Sequence, residues 1–242
     1  MAIKMDRKYS LDDFINIVEA LRSENGCPWD RVQTHGSLKP CMMEEAAELL
    51  ASIRIYDKTG NAENMREELG DILLQVVMHA QIAKEEKLFT LEDVIHEISE
   101  KMVRRHPHVF GDMEANDHNE IRDNWEEIKK KEKEGKDWIE SPLREIPREL
   151  PSLVRASKVL KKMDKLYGIS TDYSINIDNM RENIEKLAKY NPGEKAEGID
   201  EIIGDIMLQI ADISRQYKVN AEQLLNDRIE DMIDKCESIE KP

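Results

Sequence analysis

Apolar residues recur at three- and four-residue intervals along nearly the whole chain, the signature of amphipathic helices. Leu11, Phe14, Ile15, Val18 and Leu21 mark the first helix, opened by Ser10 with Asp13 as a variant capping box and ending near Gly26-Cys27-Pro28. A second is predicted from about Ser37 to about Tyr56, with Pro40 in its first turn, and a third from about Ala62 to Glu86. Thr90 with Asp93 opens a fourth that stops before Pro107, and Asp117 opens a fifth carrying Trp125 and Lys129. No stretch alternates with period two, so no strand is expected.

The charged run from Lys129 to Lys136 reads as a solvated helix end, and Pro142, Pro147 and Pro151 follow in quick succession. Prolines at that density end helices and mark a boundary. Beyond them the chain repeats itself. Gly204-Asp205-Ile206-Met207-Leu208-Gln209 echoes Gly70-Asp71-Ile72-Leu73-Leu74-Gln75, and Asn220-Ala221-Glu222-Gln223 stands where Thr90-Leu91-Glu92-Asp93 stood. The expectation is an all-α fold of tandem duplicated helical bundles: residues 1–136, a Pro-rich linker 137–151, and a second copy 152–242.

Composition agrees with helical bundles. Of 242 residues 40% are hydrophobic and 36% charged, with only 5% aromatic, so Leu, Ile, Met and Ala must supply most of the core. A formal charge of -15 argues against a nucleic-acid groove, which needs clustered Lys and Arg, whereas a free nucleotide accompanied by a metal ion is easier to accept. No apolar run reaches membrane-spanning length, and Met1-Ala2-Ile3-Lys4-Met5 lacks the apolar centre of a signal peptide, so the cytoplasm is the expected compartment. Cys27, Cys41 and Cys236 are odd in number and far apart; packing is the expected role for each. His106 and His108 have no further soft ligand at metal spacing, which leaves loop ordering or a hydrogen bond to phosphate.

The chemistry concentrates in four acids. Glu45 with Glu48, and Glu68 with Asp71, are spaced three apart on the second and third predicted helices, so each pair shares a helix face. If those helices pack together, the carboxylates converge and repel unless a cation neutralises them. Mg²⁺ suits the position because it is hard, prefers oxygen and keeps open sites for water and phosphate oxygens; Mn²⁺ is the expected substitute. The spacing alone is weak evidence. In a chain with 51 acidic residues, on the order of six such ExxE and ExxD combinations arise by chance.

Context makes it specific. Gly26-Cys27-Pro28-Trp29-Asp30 precedes the acids, Glu44-Glu45 and Glu67-Glu68-Leu69-Gly70-Asp71 frame them, and Arg104-Arg105-His106-Pro107-His108-Val109-Phe110-Gly111 and Trp125-Glu126-Glu127-Ile128-Lys129 follow. In this order and spacing the blocks resemble the MazG family of nucleoside triphosphate pyrophosphohydrolases, in the all-α NTP pyrophosphatase superfamily. The resemblance covers nearly the whole chain and is strongest over 26–130. It implies hydrolysis of a nucleoside triphosphate at the α-phosphorus to the monophosphate and pyrophosphate. It assigns Glu45, Glu48, Glu68 and Asp71 to the metal and implies a homodimer. Glu44 is the candidate general base or a further metal contact; Glu67 reads as ordinary exposed glutamate. Arg104 and Arg105 are candidates for the polyphosphate, with one of the two expected to face solvent or a glutamate, and Lys129 is a third candidate. Trp29 either stacks on the base or packs in the core, and Trp125 reads as core.

In the second copy, Glu182, Asn183 and Lys186 fall opposite Glu44, Glu45 and Glu48, and Glu201, Ile202 and Asp205 opposite Glu67, Glu68 and Asp71. Only Asp205 survives from the ligand set; the gap between the pairs is four residues shorter, and a shifted register offers Glu182 with Glu185 as an alternative pair, but no ExxD stands at Asp205, so this copy is expected to be structural. Two rival readings remain: a related all-α hydrolase acting on dUTP or phosphoribosyl-ATP, which the Cys-Pro-Trp-Asp and Arg-Arg-His-Pro-His blocks disfavour, and a non-enzymatic helical dimer that binds nucleotide or protein, which the intact acidic set disfavours.

Overall fold

The computed structural model describes residues 8–111, 117, 120, 121, 124, 125, 128, 132, 141–191 and 197–238. Among these residues the regular structure is helical, with no strand. The chain packs as two compact units, Met1–Glu134 and Gly135–Pro242.

The first unit contains α1 (Leu11–Arg22), α2 (Pro28–Arg31), α3 (Lys39–Thr59), α4 (Glu63–Glu85), α5 (Leu91–Arg105) and α6 (Pro107–Phe110). Both expected capping boxes form. The Ser10 and Thr90 hydroxyls accept from the backbone N–H of Asp13 and Asp93, and each aspartate accepts in return from the cap N–H. The short turns α2 and α6 carry no readable period, but each begins on a proline, whose fixed φ favours a first helical position. α3 runs to Thr59, three residues beyond the expected end, and stops where Gly60 takes the left-handed conformation (φ 72°) and donates its N–H to the Tyr56 carbonyl. Gly26 is required for a different reason: a Cβ there would sit 2.2 Å from the Leu21 carbonyl oxygen, so any side chain would break the turn after α1.

Only Gly60-Asn61-Ala62 separates α3 from α4, and the two helices pack along each other as an antiparallel hairpin. The C-terminal half of α4 is sunk in the core. Val77, Met78, Ala80 and Ile82 meet Val18 of α1, Leu38 before α3 and Leu91 at the start of α5, with Phe14, Ile15 and Leu74 packed around them. Arg22, itself buried, locks this end. Its Nε and Nη2 donate to Glu85 at 3.0 and 2.7 Å, and its Nη1 to the carbonyls of Asp30 and Gln33 at 2.6 and 3.1 Å. One guanidinium thus ties α1, the turn around α2 and α4 together, and sets the angle at which α4 leaves the core.

The second unit contains α7 (Ser152–Tyr167), α8 (Tyr173–Leu187), α9 (Ile199–Gln216) and α10 (Ala221–Glu237). α9 packs on both α7 and α8, as α4 packs on α1 and α3, and α10 closes on α7 and α9. Asn220 caps α10, accepting from the N–H groups of Glu222 and Gln223, at the position equivalent to Thr90. Cys27 and Cys41 are half-buried, but Cys236 is exposed, which corrects the expectation of packing for that residue: it lies near the end of α10, on an outward face. Among the described residues no helix is long and apolar enough to cross a membrane.

Truncating the Arg22 clamp should be costly because it takes this donor from the Asp30 and Gln33 carbonyls and leaves the Glu85 carboxylate with the Gln81 amide as its hydrogen-bond donor. Arg22→Ala is expected to lower unfolding stability by about 2–4 kcal/mol, and Arg22→Lys, which keeps the charge but loses the fork, should recover less than half of that. Urea unfolding of the three proteins at neutral pH measures it.

Candidate active site

The hairpin brings the acidic pairs together. Glu45 and Glu48 come from α3 and Glu68 from α4, and one carboxylate oxygen of each lies within 4.8 Å of the others. Asp71, one turn beyond Glu68, stands outside that trio. It is still close enough to matter: the Glu45 pKa is raised first by partial removal from water and then by the charges of Asp71, Glu48, Glu68 and Glu44. Among the described residues the charged neighbours acting on Glu45 are all carboxylates, which disfavour its ionised form. A set made wholly of carboxylate oxygens fits a hard divalent cation and would serve poorly a softer metal that favours nitrogen or sulfur.

Sequence reasoning passed over Asn64. Its side-chain amide donates to Glu68 Oε1 at 2.5 Å, which fixes the orientation of that carboxylate toward the cluster. The signal was present in the i,i+4 spacing of an amide and a carboxylate on one helix face. Glu44 and Glu67 are both exposed. Trp29 is 75% exposed on α2, which excludes the core alternative and leaves its ring face open for stacking.

Arg104 and Arg105 do not point free guanidiniums at a ligand. Both converge on Glu132. Arg104 donates from Nε (3.0 Å) and Nη2 (2.8 Å) to Oε1, and Arg105 from Nη2 (2.5 Å) and Nε (3.1 Å) to Oε2. The expectation that one arginine would face a glutamate understates this, because a single carboxylate holds both forks. A substrate phosphate would have to share or displace it. No motif marked Glu132, one of two acids in the lysine-rich run 129–136, more than twenty residues away in sequence. Arg105 also lies over the half-buried Trp125 ring, 5.3 Å from its centroid. His106 Nδ1 sits 2.6 Å from the Met102 carbonyl and so donates to it, ordering the end of α5. Lys129 lies outside the described residues.

In the second unit the equivalent positions do not form such a site. Lys186 pairs with Glu182 at 2.8 Å, Asn183 is buried, and Asp205 is exposed.

A family model for the MazG nucleotide pyrophosphohydrolase domain matches residues 33–110, a span that holds α3, α4 and α5 and all four acids. The nucleoside triphosphate pyrophosphohydrolase/pyrophosphatase MazG of Thermotoga maritima is 37% identical over 95% of this chain and 85% of its own length. The chain belongs to the MazG family. The nucleoside triphosphate pyrophosphohydrolase of Escherichia coli is 36% identical over 91% of this chain and 84% of its own length. The protein YabN of Bacillus subtilis is 40% identical over 90% of this chain, which spans only 43% of that longer protein. The MazG domain is a hydrolase domain, and here its acidic cluster sits on the helical hairpin that the matched span encodes.

The arginine clamp gives a pH signature. Hydrogen bonds from Arg105, then Arg104, hold Glu132 down from its ordinary 4.5 to about 2. A depressed carboxylate stabilises the fold above its unfolded pKa, and that contribution disappears as pH falls through the folded value. The thermal midpoint of the wild type should therefore fall between about pH 5 and pH 2 more steeply than that of Glu132→Gln. Parallel acid limbs for the two proteins would show that the clamp contributes nothing.

Proposed function

We propose that this chain is a Mg²⁺-dependent nucleoside triphosphate pyrophosphohydrolase whose chemistry resides in the first unit, with the second copy catalytically silent. The observation that carries the reading is the convergence of Glu45, Glu48 and Glu68 within 4.8 Å, with Asp71 pressing on Glu45 from the next turn. Glu45, Glu48, Glu68 and Asp71 would hold the metal. When bound, the cation supplies charge neutralisation for a triphosphate of about four negative charges and polarises the phosphorus under attack.

The protein's own groups do the rest. Water attacks the α-phosphorus, its oxygen forms the new P–O bond, and the bond to the bridging oxygen between the α- and β-phosphorus breaks, releasing pyrophosphate. Glu44, exposed beside Glu45, is the proposed acceptor of the water's proton. Asn64 keeps Glu68 turned into the cluster. Trp29, Arg104, Arg105 and Lys129 are the proposed substrate contacts: the indole for the base, the cations for the phosphates, with Glu132 holding the two guanidiniums side by side until phosphate arrives.

The outer face of the hairpin leaves Leu50 at 69% and Leu69 at 51% exposed, with Ile53, Leu73 and Val76 also uncovered. An apolar face of this kind on a small helical unit is most simply covered by a symmetric copy, so the working form is proposed to be a homodimer. Light scattering at micromolar concentration should give about twice the 28.1 kDa of one chain; a mass near one chain contradicts it.

Glu48→Gln or Asp71→Asn should abolish pyrophosphate release from a panel of nucleoside triphosphates with Mg²⁺, while the helical fold survives. Without metal, the loss of a negative charge from a crowded acidic cluster should leave stability unchanged or raised. Asp205→Asn should leave turnover nearly intact. Near-parental rates in either first-unit variant, or loss of activity in folded Asp205→Asn, would sink the assignment.

A further inference from the structure

We propose that His35 and His79 form a pH-operated latch that seats the turn between α2 and α3, and with it Trp29, on α4: one proton between the two imidazoles closes the latch, and a second opens it. The two Nδ1 atoms lie 2.7 Å apart. The ring planes are within 3° of parallel and the centroids are 5.0 Å apart. That separation is the N···N distance plus the two ring radii, so the Nδ1 atoms meet head on and the rings lie edge to edge, the geometry of an N–H···N hydrogen bond. It leaves no room for a metal ion between the nitrogens, whose lone pairs would have to converge from the side. An imidazole nitrogen is either a donor or an acceptor, so the bridge holds one proton. The neutral pair supplies it, with one ring protonated on Nδ1 and the other on Nε2. A first added proton keeps the bridge and charges one ring. A second leaves two N–H groups and two positive charges face to face, and the bond is lost.

The surroundings set the order of these steps. His79 is half-buried on α4, and its pKa is held below the ordinary 6.5 first by burial and then by the charge of His35. Glu86, just past the end of α4, brings its carboxylate to 3.8 Å from His35 Nε2, so the first charge is best placed on His35. The other charges at this end of α4 answer one another: Glu85 is held by Arg22 of α1, and Lys84 by Glu19 of α1. Among the described residues no charged group of α2, α3 or α5 acts on His79. The turn that carries His35 is tied to α2 as one piece. Thr34 N–H donates to Ser37 Oγ and Ser37 N–H to Thr34 Oγ1, Ser37 Oγ donates to Gln33 Oε1, and Gln33 Nε2 donates to the Trp29 carbonyl at 3.1 Å. Lifting His35 off α4 therefore pulls on Trp29. The helical fold does not need the pair. The register that sets Asn183 opposite Glu45 sets Tyr173 opposite His35, the one that sets Asp205 opposite Asp71 sets Ile213 opposite His79, and the second unit forms its helices with neither histidine.

The full-length protein, labelled with ¹⁵N at histidine and tryptophan, is titrated by NMR from about pH 8 to about pH 4.5 without nucleotide. At the alkaline end the pair should show one Nδ1–H and one Nε2–H tautomer, and protons should enter in two steps more than about one pH unit apart. The Trp29 indole N–H resonance, assigned with Trp29→Phe, should move with the second step. In His35→Asn and in His79→Asn, whose amides stand where an Nδ1 stood and take no proton, it should hold its position over the same range. Urea unfolding supplies an independent reading. A base whose pKa is lowered in the fold stabilises it above the unfolded value of 6.5 and loses that contribution as pH falls through the folded value. Between about pH 7.5 and about pH 5 the unfolding constant of the wild type should rise about fivefold more than that of His79→Asn. Each protein is compared with itself, so any constant cost of the substitution cancels. None of these readouts uses turnover, so they judge the latch apart from the catalytic reading of Trp29. The proposal is overturned by two Nε2–H tautomers at the alkaline end, by both histidines titrating together near 6.5, by a Trp29 resonance unmoved in the second step, or by equal acid losses in wild type and His79→Asn.

Discussion

Mutual repulsion among carboxylates on the α3–α4 hairpin is the constraint on which the first unit turns. Three oxygens within 4.8 Å would separate if their helices were free to move. They are kept together from the other end. The C-terminal half of α4 is embedded among Val18, Leu38 and Leu91 and clamped through Glu85 by Arg22, so the N-terminal half projects beside α3 with little freedom to swing away. The core contributes the rigidity and the acidic end uses it. Partial removal from water, and then the charges of Asp71, Glu48, Glu68 and Glu44, raise the Glu45 pKa, so its ionised form is disfavoured in this arrangement.

The two copies separate fold from chemistry. Each places its central helix against two others, and each caps the helix that follows it with a side-chain oxygen, Thr90 in one and Asn220 in the other. What differs is which positions carry charge. Lys186 and Ile202 stand where the first copy has Glu48 and Glu68, while Asn176 and Asp212 put polarity where the first copy has leucine and methionine. Packing tolerates these exchanges because the buried newcomers satisfy one another, and an unpaired Asp212 would not have been tolerated.

Much of the architecture was legible because helices announce themselves by period and by caps: Ser10-Asp13 and Thr90-Asp93 fixed two helix starts to the residue. The end of α3 was less legible, since Gly60 acts through a backbone conformation that the apolar pattern does not encode. The acidic pairs were readable through their three-residue spacing, but the displacement of Asp71 from the tightest trio depends on the angle between two helices, which no local pattern specifies. Long-range partners were the least visible. Nothing near Arg104 or Arg105 pointed to Glu132, and nothing near Trp29 decided between core and surface, because both answers depend on where a distant segment comes to rest.

The most direct test of a cluster held together against its own charge is thermal unfolding of the intact protein with and without Mg²⁺. The account predicts that Mg²⁺ raises the midpoint of the wild type, that Glu45→Gln starts from an equal or higher midpoint without metal, and that the variant gains little when Mg²⁺ is added. An unchanged wild-type midpoint at saturating Mg²⁺, or the same gain in Glu45→Gln, would contradict it.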